Sequence, residues 1–168
     1  MRCLEDLLDM APDRYDMTVI GEEPWGNYNR IMLSPVLSGE KSFAEIMLHS
    51  ADWYAEKGIR FIAGDAAIAI DRSRKQVHTQ KGEVVAYDRL ILATGSKPFM
   101  PPIPGAELEG VISFRDIQDV NRMLDYCKTK QNAVVIGGGL LGLEAAYGLK
   151  QQGMNAVSYT HLSCRRIE

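Results

Sequence analysis

The stretch Val134-Val135-Ile136-Gly137-Gly138-Gly139-Leu140-Leu141-Gly142-Leu143-Glu144 constrains this chain more than any other. A β-branched triplet runs straight into G-x-G-x-x-G and then into helix formers, which predicts a strand, a tight turn and a helix: the opening of a βαβ unit. Gly137 permits the turn, Gly139 lets a ligand approach the backbone, and Gly142 lets the helix lie close to the strand. The N–H groups from Gly139 through Leu140 to Leu141 then face outward at the positive end of a helix dipole, where a pyrophosphate is stabilised. A dinucleotide is the ligand this turn predicts.

The rest of the composition narrows the setting. The chain has 168 residues, enough for a sizeable core, and a formal net charge of −3. Such a balance gives no basic field, so neither nucleic acid nor an anionic membrane surface is expected as a partner. No apolar run approaches the roughly 20 residues of a membrane span, and acids follow Met1-Arg2-Cys3-Leu4 where a signal peptide would be apolar. Cys3, Cys127 and Cys164 are scattered, with no C-x-x-C pair. They fit a reducing cytoplasm better than a disulfide framework or a zinc site. The three histidines have no partners at ligand spacing, so no metal site is expected, and His161 and Cys164 are not read as a metal pair.

Along the chain, periodicity predicts a short amphipathic helix from Cys3 to Met10, ended by Pro12, and a strand from Asp16 to Gly21. Trp25 to Gly39 reads as a polar loop with a single helical turn. Ser50 to Gly58 reads as a helix, with Gly58 in the position that favours a left-handed residue. After a strand at Arg60 to Ala63, alternating patterns at Ala66–Asp71, Gln76–Gln80 and Glu83–Tyr87 predict an antiparallel β-meander. The unbroken apolar run Leu90-Ile91-Leu92-Ala93 predicts a strand buried on both faces of a parallel sheet. Ala93-Thr94-Gly95 then stands at its carboxyl end, where open α/β sheets bind ligands. Four prolines between Pro98 and Pro104 make a stiff connector. A short strand at Gly110–Phe114, a helix at Ile117–Tyr126, the strand Val134–Ile136 and a helix at Leu140–Gln151 follow. The fold class is α/β.

Tyr87-Asp88-Arg89-Leu90-Ile91-Leu92-Ala93-Thr94-Gly95-Ser96-Lys97-Pro98, followed some forty residues later by the glycine turn and Glu144-Ala145-Ala146, resembles the two-dinucleotide flavoprotein reductases. These are the pyridine nucleotide-disulfide reductase-like enzymes, in which an NAD(P)H lobe interrupts an FAD lobe. Asn27-Tyr28-Asn29-Arg30-Ile31-Met32-Leu33-Ser34-Pro35-Val36-Leu37-Ser38-Gly39-Glu40 and Trp53-Tyr54-Ala55 are similar to the branch of bacterial NAD(P)H-dependent nitrite reductase large subunits. The resemblance covers nearly everything from Arg2 to about Asn155.

The resemblance implies FAD and NAD(P)H as cofactors, with hydride passing from nicotinamide to flavin. It implies that Glu22 or Glu23 binds the FAD ribose, that Arg30 and Ser34 line the flavin site, that Ala67 meets the adenine, and that Ala93, Thr94 and Gly95 pass near pyrophosphate or flavin. Gly137 through Gly142, Gly138 included, would hold the NAD(P)H pyrophosphate, and Glu144 would stand near the nicotinamide. Siroheme and an iron–sulfur cluster, with nitrite reduction and a possible small subunit, would belong to parts of the parent outside this chain. A stand-alone ferredoxin- or rubredoxin-type reductase, and a non-catalytic nucleotide-binding protein, are the competing readings.

The family places a first G-x-G-x-x-G before the helix that here begins near Met1, and this chain shows none. The expected organisation is therefore a truncated FAD-binding lobe at 1–104, the start of an NAD(P)H-binding lobe at 105–156, and a non-native tail at 157–168. The whole is an incomplete two-dinucleotide-binding, Rossmann-like fold with an antiparallel β-meander. The tail expectation comes from Val157-Ser158-Tyr159-Thr160-His161-Leu162, which matches one reading frame of a common transposon-type sequencing adapter.

Overall fold

The computed structural model describes residues 1–159. Residues 160–168, with His161 and Cys164 among them, lie outside the described residues. The chain divides into two compact units, and the division does not follow chain order: Met1–Tyr28 groups with Met47–Thr94, and Asn29–Ile46 groups with the chain from Gly95 onward.

The first unit opens with α1 (Arg2–Met10), whose last turn is closed by the Ala11 amide on the Leu7 carbonyl before Pro12 prevents further helix. β1 (Thr18–Gly21) pairs in parallel with β2 (Arg60–Ala63), Val19 opposite Phe61 and Ile20 opposite Ile62. Between them in sequence lies α4 (Ala51–Glu56). The Ser50 hydroxyl caps it by accepting from the Trp53 amide, and Gly58 at φ 66° turns the chain away. Tyr54 of α4 is buried and stacks on Phe61, ring centroids 4.2 Å apart.

β3 (Ala67–Asp71), β4 (Gln76–Thr79) and β5 (Val84–Ala86) form the expected antiparallel meander in that order. At the first turn Asp71 Oδ1 accepts from the Ser73 and Arg74 amides, a side-chain turn that holds the hairpin without glycine. Asp65, just ahead of β3, is buried, and its carboxylate accepts from the Lys81 amide at 2.9 Å. Burial alone would raise its pKa. The Thr79 hydroxyl, the Lys81 and Gln80 amides and the Lys81 ammonium outweigh burial and hold the carboxyl below its ordinary value.

In the second unit, Asn29 caps a 3-10 turn at Arg30–Met32, and α2 (Leu33–Ser38) follows, ended by Gly39 at φ 85°. The expected single helical turn is thus a longer helical run. Pro35 does not stop it because its missing N–H falls among the first amides of the helix, which have no intrahelical partner. α3 (Phe43–Ile46) is a further short helix. Glu45 Oε2 accepts from the Ser42 amide and the Ser42 hydroxyl accepts from the Glu45 amide, a reciprocal capping box. Further along come α5 (Ile117–Cys127), β6 (Asn132–Ile136), α6 (Leu140–Gln151) and β7 (Asn155–Tyr159), with β6 and β7 parallel. α6 packs on both strands and on α2. Val157, Ser158 and Tyr159, set apart by the sequence as tail residues, are the last three positions of β7. Their alternation of large and small side chains suits a strand, with Ser158 turned half inward and its neighbours exposed.

Two expected strands are absent among the described residues. Leu90–Ala93 forms no strand, and Ile91 and Leu92 are 66% and 67% exposed. A parallel strand takes its hydrogen bonds from a neighbour; β1 and β2 pair with each other, and no described strand runs beside 90–93. Gly110–Phe114 is likewise a turn and an irregular run, because Ser113 and Arg115 direct their polar groups to a side chain of α5.

Two measurements follow. Built on Gly148 of α6, a Cβ would lie 2.8 Å from Cγ of Leu37, which is fully buried; Gly148→Ala is expected to lower stability by about 1–3 kcal/mol in urea unfolding, the usual cost of overpacking. Asp65→Asn is expected to destabilise the protein near neutral pH. Because the folded pKa lies below the unfolded one, the wild-type advantage is present above the ordinary carboxylate value and disappears as pH falls through the folded one. Circular dichroism of urea unfolding across pH 3–7 checks this; a gap that widens on acidification contradicts it.

Candidate functional site: a glycine turn beside a serine–glutamate pair

β6 delivers the chain to Gly137, whose φ of 134° is left-handed-side backbone that a side chain rarely tolerates. The Gly137 amide donates to the Tyr159 carbonyl at 2.9 Å, carrying the β6–β7 ladder one residue into the turn. Its own carbonyl lies directly where a Cβ on Gly142 would stand, so the third glycine is required by backbone approach. Gly139 is the N-cap of α6, with extended φ −75° and ψ 174°, and no side chain caps the helix. A Cβ there would meet nothing within 4 Å. The arrangement therefore leaves the first-turn amides without a side-chain cap at the end of a 12-residue helix, the donor set an anionic pyrophosphate needs. Gly138 is exposed in the same turn, and Leu140 and Leu141 open the helix with 74% and 58% exposure. The residues present fit the expected nucleotide.

One turn into α6, Glu144 Oε2 accepts from the Ser34 hydroxyl at 2.5 Å. Ser34 is buried in α2. Four residues further, Gly148 admits Leu37; four further again, Gln152 Nε2 donates to the Leu37 carbonyl at 2.9 Å. Glu144 and Gly148 of α6, with Gln152 at its C-cap, thus form one stripe seated on α2. Next to it Arg30, Leu33, Ser34, Phe114, Arg115 and Leu141 line a small cavity of about 40 Å³. Arg30 Nη1 donates to the Arg115 carbonyl at 2.8 Å, and Arg115 Nη2 donates to the Ser96 hydroxyl at 2.9 Å.

The second unit therefore brings Arg30, Ser34, Leu141 and Glu144 together beside the glycine turn. Gly95 also belongs to this unit, in an exposed stretch, at φ 68°. The remaining predicted residues stand in the first unit. Glu22 is exposed just past β1, and Glu23 accepts from the Tyr28 hydroxyl at 2.6 Å. Ala67 is exposed at the start of β3, where the ladder shifts register before Ala69. Ala93 and Thr94 lie in the exposed run that carries no strand. Sequence reasoning missed Asp119 of α5, which is 2% exposed and holds the Ser113–Arg115 segment. Its only sequence signal is the pair Asp116-x-x-Asp119 at a helix start.

The sequence profile of pyridine nucleotide-disulphide oxidoreductases matches residues 3–165. The chain belongs to that family. Nitrite reductase [NAD(P)H] of Bacillus subtilis is 48% identical over 163 residues, 97% of this chain and 20% of the relative. The assimilatory nitrate reductase electron transfer subunit of the same organism is 46% identical, over 97% of this chain and 21% of its own length. This chain thus spans about a fifth of these relatives. Among solved structures, NADH:rubredoxin oxidoreductase from Clostridium acetobutylicum superposes with a TM-score of 0.77 at 32% identity, covering 84% of this chain and 37% of that one. Membership in the pyridine nucleotide-disulphide oxidoreductases accords with the α/β fold, the strand–turn–helix at Gly137 and the antiparallel meander. No described helix is long and apolar enough to cross a membrane.

Gly139 and Gly142 are expected to respond differently to alanine. Gly142→Ala drives a Cβ into backbone that cannot yield, costing about 3 kcal/mol at the upper end of overpacking effects, whereas Gly139→Ala, which loses only the N-cap preference for glycine, should cost about 1 kcal/mol or less. Equal destabilisation of both variants in thermal or urea unfolding contradicts the turn geometry described.

Proposed function

We propose that this chain is the nucleotide-handling segment of a flavoprotein oxidoreductase that passes hydride from NAD(P)H to FAD, and that the intact protein feeds siroheme-dependent nitrite reduction in the cytoplasm, as part of nitrate assimilation. The observation that carries the reading is the uncapped first turn of α6, opened by Gly137 at φ 134° and closed by Gly142 over the Gly137 carbonyl. Its support for the substrate is the likeness to relatives named as nitrite reductase and nitrate reductase electron transfer subunit.

In this reading the amides of residues 139–142 bind the NAD(P)H pyrophosphate, and Glu144, steadied by the Ser34 hydroxyl, stands on the nicotinamide side. Arg30 offers FAD a planar cation, with Ser34 on the same segment. Glu22 and Glu23 accept from ribose hydroxyls, Ala67 meets adenine through backbone, and Ala93, Thr94 and Gly95 approach pyrophosphate or flavin. Hydride transfer itself is supplied by the two cofactors when bound; the protein binds and orients them. Residues 1–104 would serve the flavin and 105–156 the pyridine nucleotide. Siroheme, the iron–sulfur cluster and any small subunit belong to sequence outside these 168 residues. The likeness to a rubredoxin reductase favours a second reading, a stand-alone NAD(P)H reductase of a small iron–sulfur carrier.

Calorimetric titration with NADH and with NADPH tests the nucleotide reading. Saturable binding is expected for at least one, and Gly139→Ala, which fills the cradle without straining the fold, is expected to weaken it about tenfold or more, the value of one lost charge-assisted hydrogen bond. No binding of either nucleotide overturns the reading. The chain is expected to purify without stoichiometric FAD, because Ala93–Gly95 is exposed and lacks the strand that would fix it. Purification of the chain with one FAD per chain contradicts that expectation.

A further inference from the structure

Asp119 stands at the third position of α5 and is 2% exposed, yet it does not act only on its own helix. A carboxylate that deep is costly unless its lone pairs are filled. Here they are: Oδ2 accepts from the Ser113 hydroxyl at 2.8 Å and from the Arg115 amide at 2.9 Å, while Oδ1 accepts from Arg122 Nη2 at 2.5 Å. In return, the Asp119 amide donates to the Asp116 side chain at 2.8 Å, the ordinary N-cap bond. Helix capping needs only that last bond. Two of the three bonds to the carboxylate reach outward, to Ser113 and Arg115 before the helix begins; the third, from Arg122, lies within α5.

Their effect falls on the peptide between Arg115 and Asp116. The Arg115 amide, in the preceding peptide, is tied to Asp119, and Asp116 is tied as the N-cap, so the backbone is held on both sides of the Arg115 carbonyl. That carbonyl accepts from Arg30 Nη1 at 2.8 Å. Because a guanidinium is planar and rigid, a bond at one Nη restrains where the whole group sits. The same tether brings Arg115 to the Ser96 hydroxyl. Arg30 and Arg115 both line the small cavity beside Ser34 and Leu141.

We propose that Asp119 is a positioning residue for this cationic cavity: through the backbone of Arg115 it fixes the Arg30 guanidinium in the orientation that receives an anionic, phosphate-bearing cofactor. Asp119 touches no cofactor and acts only through Arg115. That the cofactor is FAD rests on the function proposed above; the positioning itself does not.

The test follows the Arg30 side chain in the isolated chain by nitrogen-resolved NMR of its guanidinium. Wild type is expected to show slowed rotation of the group, and Asp119→Ala to speed it at least about tenfold, the loss of one hydrogen bond to a charged group. Ser113→Ala, which removes another bond to the same carboxylate but leaves the Arg115 amide bonded, is expected to keep the wild-type signal. A purely structural role for Asp119 would lower stability in both variants without separating them at Arg30. Should Asp119→Ala fail to fold, Asp119→Leu, close in volume and without an acceptor, is expected to move the Arg30 signal in the same direction. A wild-type Arg30 signal in whichever of the two folds overturns the proposal. Titration with added FAD forms the second arm, with affinity about tenfold weaker in the Asp119 variant that folds. Absence of FAD binding by wild type sinks the flavin assignment, while the NMR arm decides the positioning role by itself.

Discussion

The second unit depends on one close approach. Gly148 has no side chain, and Leu37 occupies the space a side chain would take. With the helices that near, the Ser34 hydroxyl reaches Glu144 and the Gln152 amide reaches the Leu37 carbonyl, one bond on either side of the glycine. Residues 29–46 are thereby held to a helix more than a hundred positions later in the chain. The cavity containing Arg30, Ser34 and Leu141 exists because of that docking, and so does the grouping of this early segment with the later chain.

Polar groups in this unit are spent on direction more than on cohesion. Glu144 is steadied by a serine, Arg30 by the Arg115 carbonyl, and Arg115 by the bond its amide donates to a buried aspartate. Each bond leaves a charged group next to the glycine turn with a defined orientation. The turn itself offers amide donors, and its open side is maintained by the absence of a Cβ at Gly139. Donors for an anion, a planar cation and a held carboxylate within one unit are the parts a nucleotide-dependent redox protein orients around its cofactors.

Much of this was legible in the residues. The helix Leu140–Gln151 was predicted with the bounds it has, because a glycine turn marks its start. The meander was legible because period-two alternation and polar turns are local properties. The buried strand at Leu90–Ala93 was not. Its apolar run records a preference for burial, but a strand also needs a neighbour's hydrogen bonds, and no described strand runs beside it. Asp119 escaped notice for a related reason: an aspartate in a first helical turn reads as a cap, and nothing local shows that its carboxylate faces Ser113 and Arg115.

The sequence by itself determined the family, the glycine turn and the three glycines that shape it, because these rest on backbone geometry and spacing within a dozen residues. Tertiary structure alone decided which residues meet: that Ser34 holds Glu144, that Arg30 answers to Arg115, and that Asp119 stands behind both arginines. Such pairings join positions up to 110 residues apart. Local preference can make each helix and turn ready, but only packing selects the partners.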